Sequence, residues 1–281
     1  MKPLAAFLCR VPPGLWTACA IIAVSPARAQ DLTEPTRDPL SIRVEPLLVY
    51  LTPGGRIIFP GTTQTSKDID VEALNLDSPR LSPGIELEAS LDRWRLQAST
   101  IHFEQNDREA ASPVGRPVGD ITLSKGDAIV SSLRFDWAQI AVGRTLLDRT
   151  VGPEDELNVQ LSVAGGVRYY DLSMSVERAA GGRASADPTF LEPIALADAR
   201  FTYNDRYALR VETSIGYSDF SGTSTQSWSL TLAMAWRLAD WADLEGGYRI
   251  LSFDLDQGEG VSAFEYRGSM AGLYAGLSMR F

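Results

Sequence analysis

The residue best suited to acid–base chemistry is His102, the single histidine of the chain. It lies in the segment Ser99-Thr-Ile-His-Phe-Glu104, and a Ser–His pair needs both side chains on one face. Side chains of an extended strand alternate between faces, so Ser99 and His102 project to opposite sides. Glu104 shares the face of His102 and could orient its ring, but no serine on that strand completes a triad. We therefore expect no catalytic residue and expect that the chain is not an enzyme.

Carboxylates recur at every second position in two segments, Asp68, Asp70 and Glu72 in one and Asp254 and Asp256 in the other. Alternate carboxylates can bind divalent cations through their oxygens. Neither segment has the pattern of an EF-hand or of a glycine-rich calcium repeat, so we interpret both as solvated loop charge. We expect no metal site and no cofactor.

Thiol chemistry is confined to the first thirty residues, which hold both cysteines, Cys9 and Cys19. An apolar run over residues 14–24 followed by Ala27-Arg-Ala29 is typical of a secretory signal peptide. We predict a signal peptide over residues 1–29 and one domain over residues 30–281. A lipoprotein signal using Cys19 is the alternative. Without these cysteines, disulfides and thiolate ligands are excluded, and the net charge of −10 argues against nucleic-acid binding.

The remaining chain alternates in the manner of β-strands. In residues 226–238, Trp228, Leu230, Leu232 and further apolar side chains alternate with small or polar ones. A helix would scatter such apolar side chains around its circumference, so this alternation indicates a strand. Residues 207–218 behave in the same way. The apolar face ends in Trp and Tyr while the other face carries Arg, Glu, Ser and Gly, which is the pattern of a barrel in lipid.

The C-terminal segment supports this orientation. Residues 265–281 place apolar side chains at every second position and end in Phe281. Such a last strand resembles the assembly signal of Gram-negative outer-membrane β-barrels. Residues 166–172, Gly-Val-Arg-Tyr-Tyr-Asp-Leu, and residues 236–251 resemble a family of uncharacterised proteobacterial outer-membrane β-barrel proteins. The resemblance implies a fold, an outer-membrane location and recognition of the last strand by the barrel assembly machinery. It implies no reaction.

Turn lengths predict the number of strands. We predict an all-β, antiparallel, up-and-down transmembrane barrel of ten strands, with the short turns at the periplasmic end. Twelve strands are the alternative if residues 56–59 and 65–71 form another hairpin, and residues 71–76 could instead be a short helix at the mouth. In residues 127–147 the apolar side changes between Trp137 and Ile140, for which we predict a β-bulge near Gln139.

With apolar faces toward lipid, the opposite faces place eight arginines and seven carboxylates in the lumen. These residues are Arg43, Arg95, Arg134, Arg168, Arg200, Arg210, Arg237 and Arg249, with Glu45, Glu86, Glu88, Asp136, Asp198, Glu212 and Glu245. A barrel of this size has little room inside. We therefore predict a lumen filled by an arginine–carboxylate network, which is structural or lines a narrow, porin-like channel.

The expected partners are outer-membrane lipid and lipopolysaccharide around a monomer, and no nucleic acid. Two other functions stay open. One is a lipid-modifying enzyme that uses His102. The other is a surface-binding protein that acts through loops 53–81 and 106–126.

Overall fold

The computed structural model describes residues 40–113, 115–152 and 156–281. The predicted signal peptide lies outside these residues. The described part contains fourteen β-strands and two single-turn 3₁₀ helices. No helix in it is long and apolar enough to cross a membrane. The strands are β1 Ser41–Ile58, β2 Ile69–Asp70, β3 Arg80–Leu91, β4 Trp94–Ala111, β5 Arg116–Val118, β6 Ile121–Leu123, β7 Ala128–Val151, β8 Leu157–Arg178, β9 Arg183–Ala186, β10 Thr189–Tyr203, β11 Tyr207–Phe220, β12 Thr223–Ala239, β13 Ala242–Gln257 and β14 Phe264–Arg280.

Ten of these strands close into a ring of antiparallel neighbours, in the order β1, β3, β4, β7, β8, β10, β11, β12, β13, β14 and back to β1. The chain is therefore an up-and-down transmembrane β-barrel of ten strands, as predicted. The twelve-strand alternative is wrong, because β2 pairs with only Arg56 and Ile57 of β1 and takes no place in the ring. Tight turns at 92–93, 204–206 and 240–241 lie at one end of the barrel, while the opposite end has one such turn, 221–222, and otherwise longer connections. Outer-membrane barrels have short periplasmic turns, so we assign the first end as the periplasmic, lower one and the opposite end as the extracellular, upper one.

The lower part of the wall has apolar side chains outside and polar ones inside. On β12, Leu232 and Met234 are exposed on the outer face while Ser229 and Thr231 are buried on the inner one. Hydrogen bonds between strands that are not neighbours, such as Arg249 of β13 to Glu86 of β3, confirm which face is inside. This part forms the lipid-facing band.

The upper part of the wall has the reverse polarity, and on β13 the change occurs without a shift of register. On β13, Glu245 and Arg249 point inward and are buried; further up the same face, Leu251 and Phe253 are buried instead. The outer face changes from Leu244, which is exposed, to Asp254. Water replaces hydrocarbon around this part of the wall, so the apolar side chains gain by packing inside.

The predicted bulge near Gln139 is wrong for the same reason. Trp137, Gln139 and Ala141 follow one another on the inner face of β7, and Gln139 pairs in unbroken register with Ser99 and Arg168. Between Trp137 and Ile140 the apolar side chains of β7 change from the inner face to the outer face. This is the point where β7, followed along the chain, enters the lipid band. The inner face of the upper half is thus mostly apolar, with Gln105, Ser131 and Thr225 among its buried polar residues, whereas we predicted a polar lumen throughout.

A cap closes the extracellular end, and we use this name for residues 59–79 and the β5–β6 hairpin. The 3₁₀ helix Glu72–Leu74 lies in the first segment, where a short helix was one of the predicted alternatives. Val71, Leu74 and Leu76 are fully buried in a continuous apolar core with Phe103 and Leu133 of the wall. Full burial of each such side chain contributes about 1.5–3 kcal/mol.

Hydrogen bonds join the two segments of the cap to each other. The backbone N–H and the hydroxyl of Thr62 both donate to Asp120 Oδ1, at 2.6 and 2.9 Å. The backbone N–H of Gly119 donates to the Ser66 hydroxyl at 2.6 Å, and the Gln64 amide donates to the backbone oxygen of Ile121 at 3.2 Å. The donors around Asp120 favour its charged form and lower the pKa of this carboxyl.

The lipid band can be tested with two substitutions on the outer face of β12. Leu232→Arg places a charge in the band, where it costs about 2–4 kcal/mol near the midplane. Gln226→Arg, six positions toward the extracellular end of the same face, should cost less than about 1 kcal/mol near the interface. Urea unfolding of both variants in phospholipid vesicles measures the difference. Equal losses would contradict the placement of the band.

The connection within the cap can be tested by limited proteolysis. Asp120→Ala removes both hydrogen bonds from Thr62, so we expect trypsin to cleave several-fold faster after Lys67, an exposed residue of the same segment. Asp127→Ala is the matched control, because Asp127 accepts a hydrogen bond from Ser124 within its own loop. Acceleration by both variants alike would show that the Thr62–Asp120 bonds do not hold the cap.

Candidate functional site

The lower half of the lumen contains the charge network, and this is the candidate functional site. Alternation along the strands places its residues on the inner face, and ring closure brings distant strands within reach of each other. All of the predicted lumen residues except Arg134 and Asp136 lie on this inner face.

Arg210 of β11 is at the centre of the network. It donates to Asp198 at 3.1 Å and, across the lumen, to Glu86 of β3 at 3.1 Å, and it also pairs with Glu212. Asp198 accepts from Arg95 of β4 at 2.9 Å. These contacts join β3, β4, β10 and β11 through side chains alone, so they fix the cross-section of the barrel.

A second cluster surrounds Arg168 and Glu192, which are both fully buried. The Arg168 guanidinium donates to Gln139, to Ser214 at 2.6 Å and to Ser227 at 2.9 Å. Glu192 accepts from the Tyr170 hydroxyl at 2.6 Å and lies 3.5 Å from Arg168. The cluster spans β7, β8, β10, β11 and β12.

Glycines make the space that the second cluster needs. A Cβ atom at Gly216 would lie 2.5 Å from the Glu192 carboxylate. In β14, a Cβ atom at Gly276 would lie 2.7 Å from the Glu45 carboxylate. Both separations are too short for carbon and oxygen, so larger residues would displace these acids from the inner wall.

Sequence analysis missed several members of the site. Glu192 was not assigned to it, and neither were the serines that bind Arg168 or Tyr274, whose hydroxyl donates to Glu245 at 2.8 Å. Glu192 lies an even number of positions before Asp198 on β10, so both side chains are on the inner face. Applying strict alternation along this strand would have predicted Glu192 as a lumen residue. The serines and Tyr274 lie on the faces that alternation along the strands indicates as inner, but a local pattern does not show which charged group each of them contacts.

Arg134 and Asp136 lie on the outer wall, so their assignment to the lumen is wrong. They occupy the part of β7 where the polarity has reversed, and Arg134 pairs there with Asp136 at 3.4 Å and with Asp171 at 3.5 Å. His102 joins this outer cluster: its Nδ1 lies 2.5 Å from Asp136 and its Nε2 lies 3.6 Å from Glu104. The side chain of His102 is 48% exposed, above the lipid band.

Phe281 follows β14 directly. Its backbone N–H donates to Ile42 at 2.9 Å and its backbone oxygen accepts from Ile42 at 3.1 Å, so pairing with β1 continues to this residue. The side chain is 75% exposed on the outer face. Its role as an assembly signal stays a prediction.

An apolar layer lies above the network inside the barrel. Phe135 and Phe253 stack with ring centroids 5.2 Å apart, and Tyr266 meets Phe253 edge-on at 4.8 Å. Trp137 lies below this stack, 5.4 Å from the Arg168 guanidinium and 5.8 Å from that of Arg249. All four aromatic side chains are buried.

Comparison with solved structures finds outer-membrane barrels. The outer membrane protease OmpT from Escherichia coli matches with a TM-score of 0.45 and 11% identity, over 89% of this chain and 99% of its own. Neisserial surface protein A matches with a TM-score of 0.34 and 9% identity, over 87% and 98%. Ail, the attachment invasion locus protein of Yersinia pestis, matches with a TM-score of 0.34 and 10% identity, over 84% and 98%. No family model and no curated protein matches the chain.

The expectation that the chain is not an enzyme is corrected by this comparison. OmpT is an outer-membrane protease, and the expectation was drawn from one incomplete triad on one strand. Asp136, the nearest partner of His102, belongs to the neighbouring strand β7. Alternation along that strand had led us to predict Asp136 in the lumen. At 11% identity and a TM-score of 0.45, the match leaves the reaction class of this chain open.

The energetic role of the network can be tested at Asp198, which is buried between two arginines. Asp198→Asn leaves Arg95 and Arg210 without their shared carboxylate, and breaking a buried pair costs about 3–5 kcal/mol. Glu177→Gln is the matched control, because the Glu177–Arg183 pair on the outer wall is more than half exposed and such pairs contribute at most about 1 kcal/mol. Urea unfolding in vesicles measures both. A loss at Asp198 no larger than that at Glu177 would refute this role.

Proposed function

We propose that this chain is a closed outer-membrane barrel of a Gram-negative bacterium that holds a folded cap at the cell surface and does not conduct solutes. The observation that carries this proposal is the continuous apolar core of the extracellular half. It includes Phe135, Phe253 and Tyr266 of the wall and reaches Val71 and Leu74 of the cap without interruption.

Two physical arguments favour a closed barrel over a narrow channel. An ion crossing the apolar layer would lose its hydration with no polar group to replace it, which costs several kcal/mol or more. Below that layer the guanidinium groups of Arg95, Arg210 and Arg249 are held by carboxylates across the lumen. Opening a path would require both the core and the network to separate.

The extracellular half supports a role at the cell surface. Long loops lose considerable conformational entropy when they become ordered, and here both segments of the cap are ordered by burial and by mutual hydrogen bonds. A barrel that only filled the membrane would not need a wall that continues above the lipid band. Surface binding through the cap, one of the functions left open by the sequence, fits this arrangement.

Planar-bilayer recording of the refolded chain tests the proposal. We expect no ohmic current steps, because the apolar layer excludes hydrated ions. A gel shift between heated and unheated samples shows that the protein added is folded, and a general porin added afterwards shows that the bilayer reports channels. Reproducible current steps from the folded chain alone would overturn the proposal.

A further inference from the structure

The periplasmic end of the lumen holds a cavity that the charge network does not fill. We call this cavity the vestibule. It has a volume of about 230 Å³, while a water molecule takes about 30 Å³ of the liquid. The vestibule therefore has room for a small organic or inorganic molecule rather than for a single ion.

Arginine dominates the lining of the vestibule. The cationic residues in its wall are Arg43, Arg200, Arg206, Arg210, Arg237 and Arg280, and the anionic ones are Glu88, Asp205, Asp243 and Glu245. Arg210 and Glu245 form the floor, where Arg210 is occupied by the network and Glu245 accepts from Tyr274. The remaining five guanidinium groups face three carboxylates, so the cavity has an excess of positive charge.

The carboxylates of the vestibule are shared and do not saturate these guanidinium groups. Glu88 lies 2.9 Å from Arg95 of the network, but 3.6 Å from Arg43 and 3.7 Å from Arg200 of the vestibule. Asp243 pairs closely with Arg280 and lies 3.7 Å from Arg237. Separations of 3.6–3.7 Å exceed hydrogen-bond length.

Unused hydrogen-bond donors follow from this sharing. Within the described part of the chain, Arg200 Nη2 and Arg237 Nε are buried atoms that have no hydrogen-bond partner, and so are the carboxylate oxygens that they face at 3.7 Å, Glu88 Oε2 and Asp243 Oδ1. A buried guanidinium N–H that has no acceptor costs free energy. A turn of these two arginine side chains toward the vestibule would bring both donors to an anion with several oxygens.

The backbone fixes the rim of the vestibule. Asn204 and Asp205 both have positive φ, at 50° and 51°, and form the tight turn that precedes Arg206. The backbone oxygen of Arg206 accepts from the N–H of Arg237 at 2.9 Å. Arg206, in the turn before β11, and Arg237 of β12 are thus anchored next to each other at the opening toward the periplasm.

We propose that the vestibule binds a small phosphorylated anion from the periplasmic side. Guanidinium groups donate pairs of hydrogen bonds to phosphate and carboxylate alike. Here they come from β1, β10, β12 and β14 around one space, which suits the tetrahedral oxygens of a phosphoryl group better than a planar carboxylate. The site is separated from the cell surface by the network and the apolar core, so it serves a periplasmic ligand whatever the cap binds.

Calorimetry with pyrophosphate as the probe tests this proposal on the refolded full chain in detergent at 150 mM salt. We expect saturable binding of one pyrophosphate, at least tenfold tighter than binding of succinate. The double variant Arg206→Gln, Arg237→Gln should weaken pyrophosphate binding at least tenfold. Both side chains line the mouth of the vestibule rather than the buried network, and the gel shift on heating verifies that the variant folds.

Arg267→Gln is the matched control, because Arg267 lies on the outer wall of β14 in the upper half and pairs there with Asp254 at 3.0 Å. It should leave pyrophosphate binding unchanged. Three results would overturn the proposal: no binding by the folded chain, equal binding of succinate, or equal weakening by the control. None of these results bears on conduction, so the proposal and the closed-barrel function fail independently.

Discussion

The long strands of the barrel pass from a hydrocarbon environment into water. The side chains that fill the lumen change from polar to mostly apolar at the same level along the barrel axis. Where the outer face contacts lipid, apolar side chains lie outside and the inner face is left to arginines, carboxylates and hydroxyls. Where the outer face contacts water, the preference is reversed and the lumen holds Leu251, Phe253 and Tyr266. The hydrophobic effect therefore determines both halves, with opposite results for the inner face.

The charged half carries a constraint that the apolar half does not. A buried arginine without a carboxylate is strongly unfavourable, so the positions of Asp198, Glu86 and Glu192 are tied to those of Arg95, Arg210 and Arg168 on other strands. This reciprocal requirement ties the lower strands to one another. Two of the buried donors left without an acceptor, Arg200 Nη2 and Arg237 Nε, lie at the periplasmic mouth, where carboxylates are shared. The candidate ligand site is thus a consequence of an uneven distribution of acids within the network.

The fold could be predicted from the sequence to a large extent. Alternation in residues 207–218 and 226–238 indicated strands, and their bounds agree with β11 and β12 to within three residues. The short turns indicated ten strands and one common end. These features are local, because a period of two and a turn each depend on a few successive residues.

The lumen could be predicted only in part, for a reason that residues 133–142 illustrate. The alternation of odd and even positions along a strand shows which residues share a face. Whether lipid or water surrounds the barrel at a given residue depends on the position of that residue along the barrel axis. Arg134 and Asp136 were therefore placed inside, and the reversal between Trp137 and Ile140 was interpreted as a bulge. The same uncertainty concealed the partner of His102, since Asp136 reaches it only through pairing of β4 with β7.

Short-range periodicity and composition were enough to indicate the long strands, to favour ten of them over twelve and to identify the face that meets lipid in the lower band. The folded barrel was needed to show which arginine meets which carboxylate, how residues 59–79 close the mouth and where a cavity is left. Those outcomes depend on contacts such as Arg210 with Glu86 and Arg249 with Glu86, across separations of 124 and 163 residues. Closure of the ring brings such residues together, and no local pattern encodes their pairing.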